Sequence, residues 1–334
     1  GAVGWGQFST YQVLSVTRSD QVTGKTPVTT YYNYDWSTPV YHYDDSPYTT
    51  IKAYSEPRGW QRVDTWTGSG AHVRHFFFRG MNGDYVASTG GTRSVTVSYG
   101  DGTTVADENW LRGREYRTEV WDASANGVTM ESRDETWFSP YTTSSWSGLL
   151  TRRIDVTKTR HQVRTTSAGY STYETRYVND SYGFPVETWD LGDTSVSTDD
   201  TCTATSYARN SAATDAWLVE LVVRTITAKG NNSFPGGEAN NCDETAGQEL
   251  ARVDTYYDNN GHGVASPTGF VTVVSARPSA TSAMQSVVYT GDAAGHVLTV
   301  DGPLVGTADT TTYAYTTSDG FRYRTTDATG HTIE

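Results

Sequence analysis

The residues of this chain that could do chemistry begin with its seven histidines. His72 and His75 are three positions apart, which on a β-strand directs their side chains to opposite faces, so they are poor joint metal ligands. His262, His296 and His331 each follow a turn glycine directly, and a position in a repeat explains them better than catalysis does. The histidines therefore predict neither a metal site nor a catalytic base.

Adjacent carboxylates are the second candidate for chemistry, because a glycosidase needs two carboxylic acids that face each other across a sugar. Neighbouring residues on an extended chain point apart, so solvated loops are the favoured interpretation of these pairs. The pairs are Asp44-Asp45, Asp107-Glu108 and Asp199-Asp200.

The motifs of common enzymes are also missing from the sequence. It contains no nucleophile elbow, zinc-protease motif or phosphate-binding glycine loop. The spacing of a calcium-binding loop fails around Asp258. The sequence therefore predicts a protein that is not an enzyme and holds no cofactor or metal, with a polysaccharide-active enzyme as the least favoured alternative.

Cys202 and Cys242 are the only cysteines, and both lie in polar segments that predict exposed loops. A disulfide between them is the favoured interpretation, and closing the intervening loop would stabilise the fold by about 4 kcal/mol. Two unrelated thiols and half of a metal site are the alternatives. A disulfide indicates an oxidising, extracellular setting.

A short phrase occurs four times in the second half of the chain and indicates how the candidate residues are positioned. Each copy has a tyrosine near a strand end, then an Asp/Asn/Ser turn that a glycine closes, and then an alternating segment. The defining residues are Tyr177 and Gly183, Tyr257 and Gly261, Tyr289 and Gly295, and Tyr315 and Gly320. Each copy predicts a β-hairpin, and because a lone hairpin is marginal in water, the hairpins must pair edge to edge.

The rest of the sequence predicts further strands and little helix. With 23 Tyr and 10 Trp, aromatic residues make up 13% of the chain, whereas the mean hydropathy of −0.56 suits a sheet with one wet face. The best helical candidate is 211–218, and 229–248 predicts a surface loop. The predicted strands are 11–17, 26–34, 60–66, 72–78, 93–99, 114–121, 128–137 and 149–166.

The Tyr-Asp-x-x-Gly phrase followed by an alternating strand resembles the YD repeat of bacterial RHS proteins, the Tc-toxin shell components and the teneurins. The resemblance covers 166–334, and segments such as 53–64 and 110–117 resemble the same family more loosely. It implies an all-β fold: an extended, twisted antiparallel sheet of stacked hairpins. It divides the chain into a divergent hairpin region, 1–165, and a repeat region, 166–334, with a disulfide-stapled insertion around 199–248.

The resemblance also implies a function. It predicts a non-catalytic structural segment of a secreted or cell-surface β-shell that encloses a cargo or toxin domain. The partners would be the rest of the parent shell and the enclosed domain, and unpaired sheet edges predict edge-to-edge self-association. The family's Asp-Pro-x-Gly-Leu autoprotease motif is missing from this sequence, so no self-cleavage is expected.

Charge and aromatic residues bear on the other function classes. The net charge of −13 excludes a nucleic-acid partner, and the basic stretch 152–164 is interpreted as a solvated strand face. No stretch is apolar enough for a membrane span. The alternative function is a carbohydrate-binding or adhesion module with a glycan or cell-surface ligand, in which exposed tryptophans stack on sugar rings. The candidate tryptophans are Trp60, Trp66, Trp110, Trp121, Trp137, Trp146 and Trp189.

Overall fold

The computed structural model describes residues 12–20, 24–35, 40–43, 54–68, 72–87, 90–122, 129–165, 169–210, 218–230, 242, 248–318 and 320–334. Within these ranges the fold is all β with antiparallel strand pairing, as the sequence predicted, and the single helical element is a 3-10 turn, Asn109–Leu111. The chain divides into two compact units, Gly1–Tyr173 and Glu174–Glu334.

The strands are numbered in chain order. Those of the first unit are β1 (Ser15–Arg18), β2 (Val28–Tyr34), β3 (Tyr41–Tyr43), β4 (Tyr54–Pro57), β5 (Arg62–Thr67), β6 (His72–Phe77), β7 (Tyr85–Ala87), β8 (Gly90–Thr92), β9 (Thr96–Ser98), β10 (Thr104–Ala106), β11 (Glu115–Trp121), β12 (Met130–Trp146) and β13 (Leu149–Arg164). β14 (Tyr170–Asn179) crosses the division. Those of the second unit are β15 (Pro185–Asp193), β16 (Thr201–Asn210), β17 (Leu218–Lys229), β18 (Glu249–Tyr257), β19 (Val271–Arg277), β20 (Gln285–Gly291), β21 (Val297–Asp301), β22 (Thr311–Tyr315), β23 (Arg322–Thr326) and β24 (Thr332–Ile333).

In the first unit, seven strands pair side by side in the order β1, β2, β5, β6, β11, β12 and β13. The chain leaves this ladder after β6 and returns to it at β11. The excursion 78–114 carries the two-stranded ladders β7–β8 and β9–β10 together with the 3-10 turn. The excursion packs over one face of the ladder and buries apolar side chains there.

The core of the first unit is aromatic and lies between the excursion and the ladder. Phe78, Val97, Tyr99, Leu111 and Tyr116 are buried together, and half-buried rings from the ladder pack against them. The ring of Tyr99 stacks on Trp137 of β12 with centroids 4.2 Å apart. Side chains alternate across a strand, so the ladder contributes every second residue to this core.

In the second unit, every strand from β15 to β24 pairs antiparallel with the next one along the chain. Two small clusters are buried there: Trp189 with Cys202 and Cys242, and Ala208 with Val223 and Tyr257. Among the described residues after Ser275, none is fully buried. The last strands therefore depend on their turns and on neighbouring strands rather than on a core.

The strands predicted between 60 and 166 agree with β5, β6, β9, β11, β12 and β13. One feature of the second unit differs from expectation. Much of 199–248, expected to be an insertion, forms the regular strands β16 and β17. The predicted helix 211–218 falls outside the described residues except for Leu218, which begins β17, and most of the predicted loop 229–248 also lies outside them.

Candidate functional site

The recurring chemistry of the second unit lies in hairpin turns that an aspartate opens and a glycine closes. The backbone N–H of Asp180 donates to the carbonyl of Phe184 at 3.0 Å, and the N–H of Gly183 donates back to the carbonyl of Asp180 at 3.1 Å. The same two bonds recur at 3.0 and 3.1 Å in the turn of Asp292, and at 3.0 and 3.0 Å in that of Asp327. The same two hydrogen bonds thus recur in two of the four copies of the phrase, those of Tyr177 and Tyr289, and in the later turn that Asp327 opens.

The aspartate side chain explains why this residue opens the turn. One carboxylate oxygen of Asp180 accepts backbone N–H groups from Tyr182, Gly183 and Phe184 at 2.8, 2.9 and 3.1 Å. Hydrogen bonds from the His296 side chain and backbone lower the pKa of Asp292. Hydrogen bonds from Thr329, then from the backbone of His331, lower the pKa of Asp327. The ionised carboxylate thus accepts several N–H groups of the tight turn at once, which stabilises this backbone conformation.

The closing glycines need a backbone conformation that other residues avoid. Gly183 has φ 97°, Gly295 has φ 86° and Gly320 has φ 69°, a left-handed conformation that glycine adopts without steric cost. Gly320 closes a longer turn, in which the N–H of Thr316 donates to the carbonyl of Phe321 at 2.9 Å. Here Thr316 takes the place of the opening aspartate.

The copy that begins at Tyr257 has a different closing glycine from the one expected. The N–H of Asp258 donates to the carbonyl of Phe270 at 2.8 Å, and Gly269, with φ 77°, precedes Phe270. Gly261 has no positive φ, so its assignment as the closing residue was wrong. Residues 259–268 are an insertion into the turn, and hydrogen bonds from Ser266 and Thr268 to Asp258 hold it.

In three of these turns the ring that follows the closing glycine, Phe184, Phe270 or His296, packs on a neighbouring hairpin, whereas Phe321 and His331 are exposed. His296 stacks on Tyr315 with centroids 4.6 Å apart, and a Cβ atom at Gly320 would lie 2.9 Å from its Nε2 atom. Likewise, a Cβ atom at Gly291 would overlap the ring of Phe270. Each contact joins one hairpin to the following one, so a hairpin gains from its neighbour the burial that it lacks alone.

The tyrosines of the repeat occupy less uniform positions than its turns do. Tyr257 and Tyr315 are the last residues of β18 and β22, whereas Tyr177 and Tyr289 lie inside β14 and β20. All four are buried or half-buried. The hydroxyl of Tyr257 donates to the carbonyl of Val222 at 2.8 Å.

A row of alternating charges crosses the covered face of the first unit. Asp64, Arg74, Glu119 and Arg133 are successive partners across β5, β6, β11 and β12. Arg133 Nη2 lies 3.0 Å from Glu119 Oε1, while Arg74 Nε lies 3.9 Å from Asp64 Oδ1. The indole N–H of Trp121 also donates to Glu119 at 3.0 Å. Buried carboxylates on this face are thus held by the neighbouring strand.

Glu135 stands next to this row and differs from it in its pKa. Burial raises the pKa of Glu135, although the backbone N–H of Gly100 donates to it at 2.5 Å and three arginines are near. Arg160 Nη1 is 3.9 Å from its second oxygen. Desolvation therefore destabilises the charged carboxylate more than its hydrogen bond and the nearby arginines stabilise it.

The second unit has its own buried ion pairs. Arg277 holds Glu249 through two hydrogen bonds of 2.6 Å, and these lower the pKa of Glu249. Burial on its own raises the pKa of Asp254, but hydrogen bonds from Arg224 and Arg252 outweigh it, and the net shift is downward. Bidentate guanidinium contacts thus compensate desolvation here.

A short sequence pattern, which the sequence analysis did not use, accompanies these charged faces. An arginine, an acid two residues later and an aromatic residue two positions after that share one face of a strand. The pattern occurs at 62–66, 117–121, 133–137 and 252–256. The acid of each copy, Asp64, Glu119, Glu135 or Asp254, is buried.

The cysteines form the predicted disulfide, Cys202–Cys242, with Cα atoms 5.5 Å apart. Their expected exposure was wrong, since Cys202 is 0% exposed on β16 and Cys242 is also buried. Both pack on Trp189, whose indole N–H donates to Glu187 at 3.1 Å. The disulfide therefore ties Cys242 to the covered face of the sheet.

Two of the paired carboxylates are likewise buried rather than solvated. Asp107 is 1% exposed and accepts backbone N–H groups from Arg79, Gly80 and Met81 at 2.8, 2.8 and 3.2 Å. Asp200 is buried on the other unit, and burial raises its pKa. Asp44 and Asp45 lie outside the described residues. Asp107 organises the start of the excursion, which is a structural role.

The histidines are dispersed, and several contact a single carboxylate. The Nδ1 atoms of His75, His161 and His296 lie 2.7, 2.7 and 2.8 Å from Glu115, Asp134 and Asp292. In the described part of the chain, no group of three His, Cys, Asp or Glu residues is arranged to hold a metal ion.

Among the seven candidate tryptophans, Trp146 is the one that is largely exposed, at 72%. It lies at the end of a long two-stranded arm, where β12 and β13 run beyond the rest of the unit and residues 139–152 are all exposed. Trp189 is buried, and Trp137 lies between Tyr99 and the ammonium group of Lys158. The tryptophans mostly serve packing.

A groove lies at the base of this arm. It has a volume of about 560 Å³ and lies where the 3-10 turn and the start of β11 meet β13. Its lining includes Trp110, Arg112, Arg114 and Arg152. The other basic residues of 152–164 mostly pair with acids, as Lys158 does with Asp101 at 3.5 Å.

Together, the fold and these surfaces define an all-β protein of serially paired hairpins with buried ion pairs. No protein-family model matches the chain, and no curated protein is significantly similar to it in sequence. Among the described residues, no helix is both long enough and apolar enough to cross a bilayer.

Proposed function

We propose that this chain is a structural segment of a β-shell of the RHS/YD-repeat type, which encloses a cargo or toxin domain and is not itself catalytic. The observation that carries the proposal is the Asp-Gly turn that recurs at Asp180, Asp292 and Asp327, and in the first two the following ring packs on the next hairpin. Such a unit is stable only in series, which is the property that a continuous wall requires.

The buried charges support a wall rather than an active site. Acids such as Glu119, Glu249 and Asp254 are each engaged by arginines on the same or neighbouring strands. A glycosidase would instead need two carboxylates that converge on a cleft. Ion pairs distributed along strands give register to a sheet, and these three acids are occupied as acceptors of arginine hydrogen bonds.

The buried Cys202–Cys242 disulfide supports an extracellular location, because such bonds persist in oxidising compartments. In a secreted shell, the disulfide would hold the segment around Cys242 against the sheet. The partners in this proposal are the remaining shell and the domain that it encloses.

Protease protection in the complete gene product tests the enclosing role. We expect a segment outside 1–334 to resist proteinase K in the native protein. It should become degradable when the sheet is weakened by the double variant Asp180→Ala and Asp292→Ala, but not with Glu220→Ala, an exposed control. Equal digestion of that segment in all three proteins would refute enclosure.

A second candidate function, glycan binding, is favoured by one specific observation. The groove of Trp110, Arg114 and Arg152 combines an aromatic ring with cations on the surface of a strongly acidic chain. This function is compatible with a structural role, since the groove lies on the first unit alone.

A further inference from the structure

The groove at the base of the arm differs in charge from the rest of the molecule. The chain carries a net charge of −13, yet three arginines and no acid line this groove. Arg112 Nη1 is 2.9 Å from Glu56 Oε1, so its charge is partly compensated. Within the described ranges, neither Arg114 nor Arg152 has a carboxylate partner. Two guanidinium groups are thus available to an anion.

The scaffold holds these two arginines on one side of the arm. Arg152 and Ile154 are alternate residues of β13 and share a face, on which Arg152 pairs with Thr142 of β12. Arg114 lies 5.4 Å above the ring of Phe138, which belongs to the same face of β12. Stacking on an aromatic ring orients the planar guanidinium and leaves its N–H edge free for a ligand.

An apolar surface completes the groove. Trp110 is half-buried in the 3-10 turn and packs against the aromatic core, so the ring has a fixed position. Leu150 and Ile154 also line the groove. A rigid indole beside fork-shaped cations suits a ligand that has a flat apolar face and a carboxylate, which describes a uronic acid unit.

We propose that this groove binds an acidic oligosaccharide, with a sugar carboxylate on Arg114 and Arg152 and the sugar ring against Trp110. The proposal deepens the second candidate function and does not depend on the enclosing role. A peptide carboxylate would satisfy the arginines equally well, but the indole favours a sugar ring over an acidic side chain.

Calorimetric titration of the chain with tetragalacturonic acid tests this assignment. We expect saturable binding that weakens as salt is raised, since the contact is ionic. Arg152→Gln should reduce the affinity at least tenfold, and the double variant Arg114→Gln and Arg152→Gln should abolish binding. Arg164→Gln is the matched control, because Arg164 is also exposed on β13 but pairs with Glu131 at 2.9 Å.

Two further ligands separate sugar recognition from charge alone. The neutral tetrasaccharide of glucose should not bind, and a deca-glutamate peptide should bind at least tenfold more weakly than the uronate. Absence of uronate binding to the parent chain, unchanged affinity in the double variant, or equally tight binding of the peptide would each overturn the proposal. None of these results bears on protease protection, so the two proposals fail separately.

Discussion

The two units of this protein stabilise antiparallel strands in different ways. In Gly1–Tyr173, an excursion covers one face of the ladder with a cluster that includes Phe78 and Tyr116. In Glu174–Glu334, the buried clusters are small, and the same Asp-Gly turn is repeated instead. An antiparallel sheet can thus be stabilised by residues that pack over one of its faces, or by hairpin turns whose side chains contact the neighbouring hairpin.

Two buried acids, one in each unit, have pKa values shifted in opposite directions. Glu135 of the first unit has a raised pKa because burial dominates, whereas Glu249 of the second has a lowered pKa because Arg277 binds it through both oxygens. The first unit tolerates a costly charge beneath its cover. The second unit gains stability from the charges of Glu249 and Asp254, which arginines bind, but not from that of Asp200, whose pKa burial raises.

The largest effect should come from removing the cover of the first unit. Phe78→Ala deletes a buried ring at the centre of the cluster and should lower the free energy of unfolding by about 3–5 kcal/mol. Phe321→Ala, at a ring that is 71% exposed in the second unit, should cost less than about 1 kcal/mol. Urea unfolding measures both, and equal costs would erase the contrast between the units.

The disulfide should be the largest single contribution in the second unit. The double variant Cys202→Ser and Cys242→Ser should cost about 4 kcal/mol, because the bond closes a long loop. Hydrogen–deuterium exchange should rise in β15, β16 and β17 and remain unchanged in β5 and β6. Two free thiols in the native protein by mass spectrometry would contradict this expectation.

The ion pairs should give a smaller effect with a defined pH dependence. Glu249→Gln should cost about 2 kcal/mol at pH 7, the range for hydrogen bonds to charged groups. Because the folded pKa of Glu249 is lowered, its contribution is present above the unfolded carboxyl pKa of about 4.3 and is lost as pH falls through the folded value. The difference in unfolding free energy between parent and variant should therefore shrink at acid pH.

Glu135→Gln is the matched comparison in the first unit. Its folded pKa is raised, so the charged form is a burden that grows as pH rises through that value. The neutral variant should therefore cost less at pH 7 than Glu249→Gln does. Parallel pH profiles for the two variants would show that the units treat buried acids alike.

The smallest effect concerns single turns. Gly320→Ala should lower stability by about 1 kcal/mol or more, because φ is 69° and His296 lies close. Gly261→Ala is the control, since that glycine has no positive φ and its nearest neighbour would be 3.6 Å away. Equal melting temperatures for the two variants would count against the turn assignment.

The sequence predicted local features better than long-range ones. The strands and the positive φ of Gly295 follow from residue types within a short window, and the disulfide follows from the presence of only two cysteines. The closing role of Gly269 did not, because Gly261 stands at the expected spacing and only a backbone bond from Asp258 to Phe270 distinguishes the two. The burial of Asp107 depends on N–H groups 26 to 28 residues away, which adjacent acids in a sequence cannot indicate.

The charged faces of the strands were predictable in part. The spacing of Arg62, Asp64 and Trp66 recurs three more times in the sequence, so the pattern was visible. Its meaning required the strand register, which pairs Arg74 with both Asp64 and Glu119. The groove of Arg114 and Arg152 could not be predicted from the sequence, because its two cations come from separate parts of the chain.

A cryo-electron microscopy map of the complete gene product that carries residues 1–334 tests the central claim most directly. The account predicts that strands of this chain form part of the wall of a hollow shell, with density for a separate domain inside it. A solid module with solvent on both sides of these strands, and no enclosed density, would contradict it.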